Sequence, residues 1–550
     1  MSDSGQATTI EGHGGNLAVA AARQHGVETM WTLSGAHVFP LYDGAVKADP
    51  PIRLIDVRHE QTAVFAAEGM AKLTRTPGLA VLTAGPGVTN GVSAVTTAWF
   101  NGSPVVVLGG RAPAFRWGTG ALQELDHPPL LAPVTKHAGT INAVADTATE
   151  VDRAFTLATS PHRGPVFLDA PMDQLFSRAE VTLPLSPVRS RVEADPDSVA
   201  QIATLIGDAE RPVLVLGSDV WSDGAEQSAL VCAETLGIPV VANGMGRGIV
   251  PAGHKLLATR ARSTALKQAD LVVVVGTPLD FRLGYGVFGD AKVVHIADDV
   301  RQLAAHTALA ASVAGDLTAV LDGIRVAWEA LPRHRDHSSW ATTVADEAAA
   351  AVMRDRDLLD SAADPIHPAR IYGELTHRLA ENAVVIGDGG DFVSFAGKYI
   401  EPRLPGGWMD PGPYGCLGTG LGYAMAARVA RPDAQVVLLL GDGAAGLSLM
   451  DVDTLVRHDL PAVMVVGNNG GWGLEKHPMQ FLYGYDVAAD LRPLTRYDNV
   501  VRALGGAGET VTEPGDIGDA LDRAFASGVP YLVNVITDPA VAYPRSTTGV

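Results

Sequence analysis

Cysteine is nearly missing: Cys232 and Cys416 are the only two in 550 residues. Thiols that far apart build neither a disulfide framework nor a CxxC metal knuckle. Long apolar runs are also lacking, since LVVVV (Leu271–Val275) is strand-sized and falls well short of a bilayer's width. No membrane span is expected. Positive charge is outweighed, with 41 Lys and Arg against 61 Asp and Glu and a net charge of −20. Wholesale binding to nucleic acid or anionic lipid is therefore electrostatically opposed, and any anionic ligand needs a local cluster of Arg, Lys or backbone amides. The opening residues, MSDSGQATTIEGHGG, show no basic stretch followed by an apolar core. No secretory signal is expected, and the cytoplasm is the default compartment.

What is present points to a packed globular chain. The composition is 47% hydrophobic and 19% charged, which argues against disorder, and the length exceeds what one core serves. Short β-branched runs alternate with Ala-rich helical stretches, the pattern of βαβ units around parallel sheets. RLIDV, LAVLTA, PVVVLGG and GPVFLDA mark a first block, residues 1–180. A stretch rich in proline and charge, residues 181–197, reads as a linker. RPVLVLGS, IPVVAN, ADLVVVVG and AKVVHIAD mark a second block, 198–335, followed by a connector over 336–366. NAVVIGDGG, AQVVLLLGDG, AVMVVGNN and PYLVNVIT mark a third, 367–540, with a polar tail over 541–550. The expected fold class is α/β, with three doubly wound parallel-sheet domains.

In such sheets ligands bind beyond the C-terminal strand ends. Asp442 follows VVLLL, and Asn468–Asn469 follow AVMVV, with one helical crossover between them. A hard cation such as Mg²⁺ wants oxygen ligands and commonly bridges to phosphate. Asp442 offers a carboxylate, Asn469 an amide oxygen and Gly471 an exposed carbonyl. Gly441 and Gly443, with Ala444 after them, permit a tight turn whose amides approach an anion closely.

GDG followed at a distance by NN resembles the signature of the thiamine diphosphate enzymes. The resemblance implies that Asp442, Asn469 and the Gly471 carbonyl hold Mg²⁺ against the coenzyme's diphosphate. NAVVIGDGGDF resembles the strand and loop on the diphosphate's other side, which nominates Gly390 and Asp391; a carboxylate facing phosphate is awkward, and helix capping is the alternative for Asp391. RLIDVRHEQTAVFAAEGMAKL, then GPG, resembles the family's pyrimidine-binding pattern, placing Glu60 where a carboxylate activates the aminopyrimidine ring. Capping of its helix, or stabilisation of the helix dipole by an acid in the first turn, is the bland alternative. WMDPGPYGCLGTGLGYAMAA resembles the loop beneath the coenzyme, with Leu417 as the wedge and the Gly415 carbonyl as an acceptor. The family order is pyrimidine, central and diphosphate domain. The pyrimidine domain of one subunit faces the diphosphate domain of another, so a homodimer at minimum, and a homotetramer by expectation, is implied.

Within the family, LSLMDVDTLVRHDLP, GLGYAMAA and ARSTALKQADLVVVVGTPLDF resemble the branch of oxalyl-CoA decarboxylases and 2-hydroxyacyl-CoA lyases. That branch implies an acyl-CoA substrate, with Leu122, Arg262 and Arg545 of the tail as contacts to it and the tail as a lid. The leading expectation is a 2-hydroxyacyl-CoA lyase releasing formyl-CoA and an aldehyde or ketone. Acetolactate synthase, acting on 2-keto acids, is the alternative, and oxalyl-CoA decarboxylase a further one. A catalytically idle subunit is a third class, which Glu60, Asp442 and Asn469 argue against. Bound ADP or FAD is the family's option for the central domain, but HIADD has Ala297 where a nucleotide-binding Asp is usual, leaving Asp298 or Asp299 as substitutes. Near the reacting centre, Glu475 reads as an acid–base group, as a solvent-facing partner of Lys476 or as a helix-start acid. Gln123 reads as a contact to the reacting species or a polar loop residue, and His37 as a group facing the thiazolium or a structural histidine.

Overall fold

The strands that read as unbroken aliphatic runs are buried on both faces, as parallel strands covered by helices on each side must be; all five residues of Leu271–Val275 are buried. The computed structural model describes residues 8–184 and 191–543. Three open sheets result, every pairing within them parallel. The first runs, in spatial order, Arg53–Asp56, Thr29–Thr32, Gly78–Leu82, Val105–Arg111, Val166–Pro171, His137–Thr140. The second runs Val240–Ala242, Pro212–Leu216, Leu271–Val275, Lys292–Ala297, Ala311–Ala314. The third runs Trp408–Met409, Val384–Asp388, Val436–Gly441, Val463–Asn468, Tyr531–Ile536, Ala507–Val511. A separate antiparallel ribbon, Thr9–His13 with Arg178–Thr182, closes the first unit on itself.

Each sheet has one place where the chain leaves a strand toward one edge and returns on the other side, and such switch points create crevices. They lie between Thr29–Thr32 and Gly78–Leu82, between Pro212–Leu216 and Leu271–Val275, and between Val384–Asp388 and Val436–Gly441. The candidate site residues gather there.

The first and third units share one hydrophobic core, which runs from Trp31 and Phe65 to Tyr423 and Leu438. Its centre is the helix Glu60–Thr74 packed on the helix Gly420–Ala430. Close approach rests on glycine: a Cβ on Gly69 would stand 2.9 Å from the Ala426 Cβ, and one on Gly422 2.7 Å from the Phe65 Cβ. Polar pins fix the register. Asp451 accepts from Thr62 Oγ1 at 2.6 Å and from the Arg58 amide at 2.7 Å, and the fully buried Glu68 accepts from Tyr423 Oη at 2.9 Å. The second unit keeps its own core. Against it packs the helix Ser338–Leu359, through Trp340 and Val344, in the span where the sequence suggested a connector.

Candidate active site

The switch point of the third sheet opens into a cavity of about 750 Å³, a size suited to a cofactor. Gly441 pairs with Gly467 across adjacent strands, so Asp442 and the asparagine pair emerge side by side. Alternation then separates the pair. Asn468 points inward and donates to the Thr495 carbonyl at 3.0 Å and to Asn534 Oδ1 at 3.1 Å, while Asn469 lines the cavity. Asp442 opens the helix Asp442–Ser448 and accepts the amides of Gly443 at 2.9 Å and Gly470 at 2.7 Å. Burial pushes its carboxyl up to about 6, a cost that an adjacent cation would remove.

The glycines divide into two kinds. A Cβ at Gly441 or Gly415 would meet no atom within 4 Å, so both border open space. One at Gly390 would stand 2.4 Å from Leu474, and one at Gly443 2.5 Å from Trp472, so these two let neighbouring side chains close the wall. A carboxylate, an amide oxygen and the carbonyl of Gly471 form an all-oxygen donor set, beside the amides of a helix N-terminus. That chemistry fits Mg²⁺ bridging to a diphosphate.

Leu417 and Gly415 line the same cavity. Their loop is held by a residue that the sequence reading passed over. Asp388, fully buried at the end of its strand, accepts the amides of Gly418 at 3.0 Å and Gly420 at 2.8 Å. Burial pushes this carboxyl up to about 6, the two amides pulling the other way. It was visible within GDGGD as an acid at a strand end. Asp391 begins the helix Asp391–Tyr399 and lines the cavity, and both its oxygens accept the Tyr543 amide at 3.0 Å. It thereby anchors the chain's end against the cavity wall; Arg545 and the rest of the proposed lid lie outside the described residues. Glu475 is exposed in the first turn of Gly473–Tyr483 and lines the cavity. Lys476 pairs instead with Asp490, at 2.5 Å, so Glu475 is not its partner, while its place in the first turn agrees with the reading as a helix-start acid.

A second group gathers at the switch point of the first sheet. Glu60 is 7% exposed and accepts from Asn90 Nδ2 at 3.0 Å. It does not cap its helix, because the cap is the imidazole of His59, which accepts the Gln61 amide. Thr83 Oγ1 lies 3.3 Å from His37 Nδ1, and burial lowers the His37 pKa, favouring neutral imidazole. Gln123 stands against Gly85 in a left-handed conformation, φ 60°, uncommon outside glycine. None of Glu60, His37, Leu122 or Gln123 lines the cavity that holds Asp442. Within one chain the two halves of the expected site stay apart.

The two acids nominated for a nucleotide in the central unit are both engaged. Asp298 is bonded to His162 at 2.9 Å, and Asp299 caps and pairs with Arg301 at 2.8 Å. Neither carboxylate is left for a ribose, and the cleft at the second switch point measures about 60 Å³. The expectation of ADP or FAD finds no support in this arrangement.

Comparison with known proteins agrees with the geometry. Family models for the thiamine pyrophosphate enzymes match residues 12–130 (N-terminal TPP binding domain), 199–324 (central domain) and 388–535 (C-terminal TPP binding domain). The chain belongs to the thiamine pyrophosphate enzymes. It is a thiamine-diphosphate-dependent enzyme of three α/β domains. It is 50% identical over 544 residues, 97% of both chains, to a protein of Mycobacterium bovis named probable acetolactate synthase and to the acetolactate synthase large subunit IlvG of Mycobacterium tuberculosis. It is 33% identical over 579 residues, 95% of this chain and 90% of the other, to 2-hydroxyacyl-CoA lyase 2 of Bos taurus.

These identities overturn the expectation of a 2-hydroxyacyl-CoA lyase, since the lyase relatives are far more distant than the synthases. The structure shows why the three local matches misled. In LSLMDVDTLVRHDLP, Asp451 serves contacts to Arg58 and Thr62. GLGYAMAA is the face packed on Glu60–Thr74. In ARSTAL, Arg262 donates to the Arg282 carbonyl at 2.8 Å. The first two report packing within the chain, while Arg262, besides its backbone contact, lines the cavity that holds Asp442. The CoA contacts expected of Leu122, Arg262 and Arg545 came from the lyase branch; Leu122 is 77% exposed, and Arg545 lies outside the described residues.

Proposed function

We propose that this enzyme is an acetolactate synthase, joining the two-carbon remnant of decarboxylated pyruvate to a second 2-keto acid. The observation that carries this reading is identity at 50% along 97% of both chains to proteins bearing that name. Bound thiamine diphosphate supplies the electron sink on which such decarboxylation and transfer depend.

The chain's own residues divide the remaining work. Asp442, Asn469 and the Gly471 carbonyl hold Mg²⁺, and Gly441, Gly443 and Ala444 with Gly390 and Asp391 frame the diphosphate. Asp388 sets the height of the loop bearing Gly415 and Leu417, which support the coenzyme from below. Glu60 meets the pyrimidine ring. Glu475, in the first turn of its helix, is placed to move a proton on the substrate side, with Gln123 and neutral His37 as polar neighbours.

Because Glu60 and Asp442 lie apart in one chain, the working site joins two subunits. Large apolar side chains exposed on both halves support this: Phe115 and Leu122 in the first unit, Phe481, Leu482 and Tyr483 on the helix that begins in the cavity wall. Such patches mark interaction surfaces.

The test is direct. The purified enzyme, supplied with thiamine diphosphate, Mg²⁺ and pyruvate but no flavin, is expected to release CO₂ and accumulate acetolactate, read by mass spectrometry. Pyruvate left unconsumed under those conditions, with flavin added or not, refutes the assignment.

A further inference from the structure

The switch point of the second sheet takes no part in the chemistry proposed above, yet it gathers metal-binding groups from two units. Asp219 follows the strand Pro212–Leu216, in the short helix Ser218–Ser222. Asp298 follows the strand Lys292–Ala297. His162 reaches across from the first unit, on the loop that precedes Val166–Pro171. One ligand atom from each of the three lies within 4.8 Å of the other two.

Asp219 is the telling member. It is only 9% exposed, and no described residue donates a hydrogen bond to its carboxylate; its electrostatic neighbours are His162, Asp298 and Arg163. A buried carboxylate without a donor is costly, more so beside a second carboxylate. Asp219 and His162 both border the cleft of about 60 Å³, room for about two water molecules. The other two members already engage each other, His162 Nδ1 lying 2.9 Å from Asp298 Oδ1, and Arg163 engages Asp223 and lies 3.5 Å from Asp298.

We propose that His162, Asp219 and Asp298 form a binding site for a divalent transition-metal ion that ties the first unit to the second. Against the lowering effect of burial, Asp219 and Asp298 raise the His162 pKa, so a dication here takes the place of the imidazole's proton; the two carboxylates then balance its charge, and the cleft supplies water to complete its shell. One nitrogen and two oxygen donors suit Zn²⁺ or Mn²⁺ better than Mg²⁺, which prefers oxygen alone. The site is therefore distinct from the all-oxygen set around Asp442.

The test uses the full chain, stripped with a chelator and then resaturated with thiamine diphosphate and excess Mg²⁺. Titration with Zn²⁺, and separately Mn²⁺, is followed by calorimetry, metal analysis and thermal unfolding. One equivalent per chain that Mg²⁺ does not displace, with a raised melting temperature, is expected. Asp219→Asn and His162→Gln should abolish both effects while leaving Mg²⁺ activation intact. Wild type that takes up no ion beyond Mg²⁺ overturns the proposal, as does equal uptake by both variants. Asp219→Asn that raises the melting temperature in a metal-free way, with wild type indifferent to metal, overturns it too. Should the variants fail to fold, electron paramagnetic resonance of Mn²⁺ on the wild type decides: nitrogen coupling from a histidine supports the site, and its absence from stoichiometrically bound Mn²⁺ refutes it.

Discussion

Gly443→Ala tests the wall of the cofactor cavity at a single methyl group. The new Cβ would stand 2.5 Å from the Trp472 ring, far inside the separation of about 3.5–4.0 Å at which carbon atoms rest. Two opposed terms decide the outcome. Replacing glycine within a helix regains about 1 kcal/mol, whereas overpacking costs about 1–3 kcal/mol. The net loss is then about 0–2 kcal/mol, and the protein still folds. The functional effect is larger, because Trp472 adjoins Gly471, whose carbonyl belongs to the proposed metal shell. Displacing the ring should raise the Mg²⁺ concentration for half-activation by about 10–100-fold, the range seen when supports of metal ligands are disturbed. Gly446→Ala is the matched control: it lies in the same helix, Asp442–Ser448, and its Cβ would meet no atom within 4 Å. It should gain up to about 1 kcal/mol and leave Mg²⁺ dependence unchanged. Urea unfolding of the apo chain and Mg²⁺ activation curves measure both terms. If Gly443→Ala matches Gly446→Ala in both assays, the packing argument for the cavity wall is wrong.

Glu60→Gln should lower acetolactate formation by about 100-fold or more while affinity for thiamine diphosphate, followed by fluorescence quenching, changes little; retained turnover removes Glu60 from the site. Asp388 makes a pH-dependent contribution, because its folded pKa of about 6 lies above the ordinary 3.8. Its protonation stabilises the native state fully below the ordinary value, and that stabilisation is lost as pH rises through about 6. Relative to Asp388→Asn, the wild type should therefore gain about 1.4 kcal/mol between pH ~7.5 and pH ~5, read from urea melts at the two values; parallel pH profiles contradict it. Asp451→Ala removes the acceptor shared by Thr62 and the Arg58 amide and should cost about 2–4 kcal/mol. Thr62→Val should add little on that background, and full additivity would mean that the two groups do not interact.

Much of the cofactor site is legible because its chemistry is local. A carboxylate or amide at the end of an aliphatic strand is conspicuous, and Asp442, Asn469 and Glu60 stand out in GDG, NN and RHEQ. Asp388 was quoted within its motif but left without a role, since a buried carboxylate held by two amides of a distant loop has no signature in its own neighbourhood. The strands His137–Thr140, Ala311–Ala314, Trp408–Met409 and Ala507–Val511 were equally silent. They lie at sheet edges, where one flank is unpaired and an aliphatic run is not required. Substrate choice was misread for a different reason: two of the three stretches taken as marks of an acyl-CoA branch carry the contacts that pack the first unit on the third.

Order and period along the chain determined three parallel α/β units and which strand ends carry oxygen ligands, because both follow from residues near one another. Only the tertiary structure decided that Asp388 holds the loop of Gly415 and Leu417, and that His162 meets Asp219 and Asp298. Those outcomes depend on strand order and on how the units dock, and neither is encoded in the spacing of residues along a single segment.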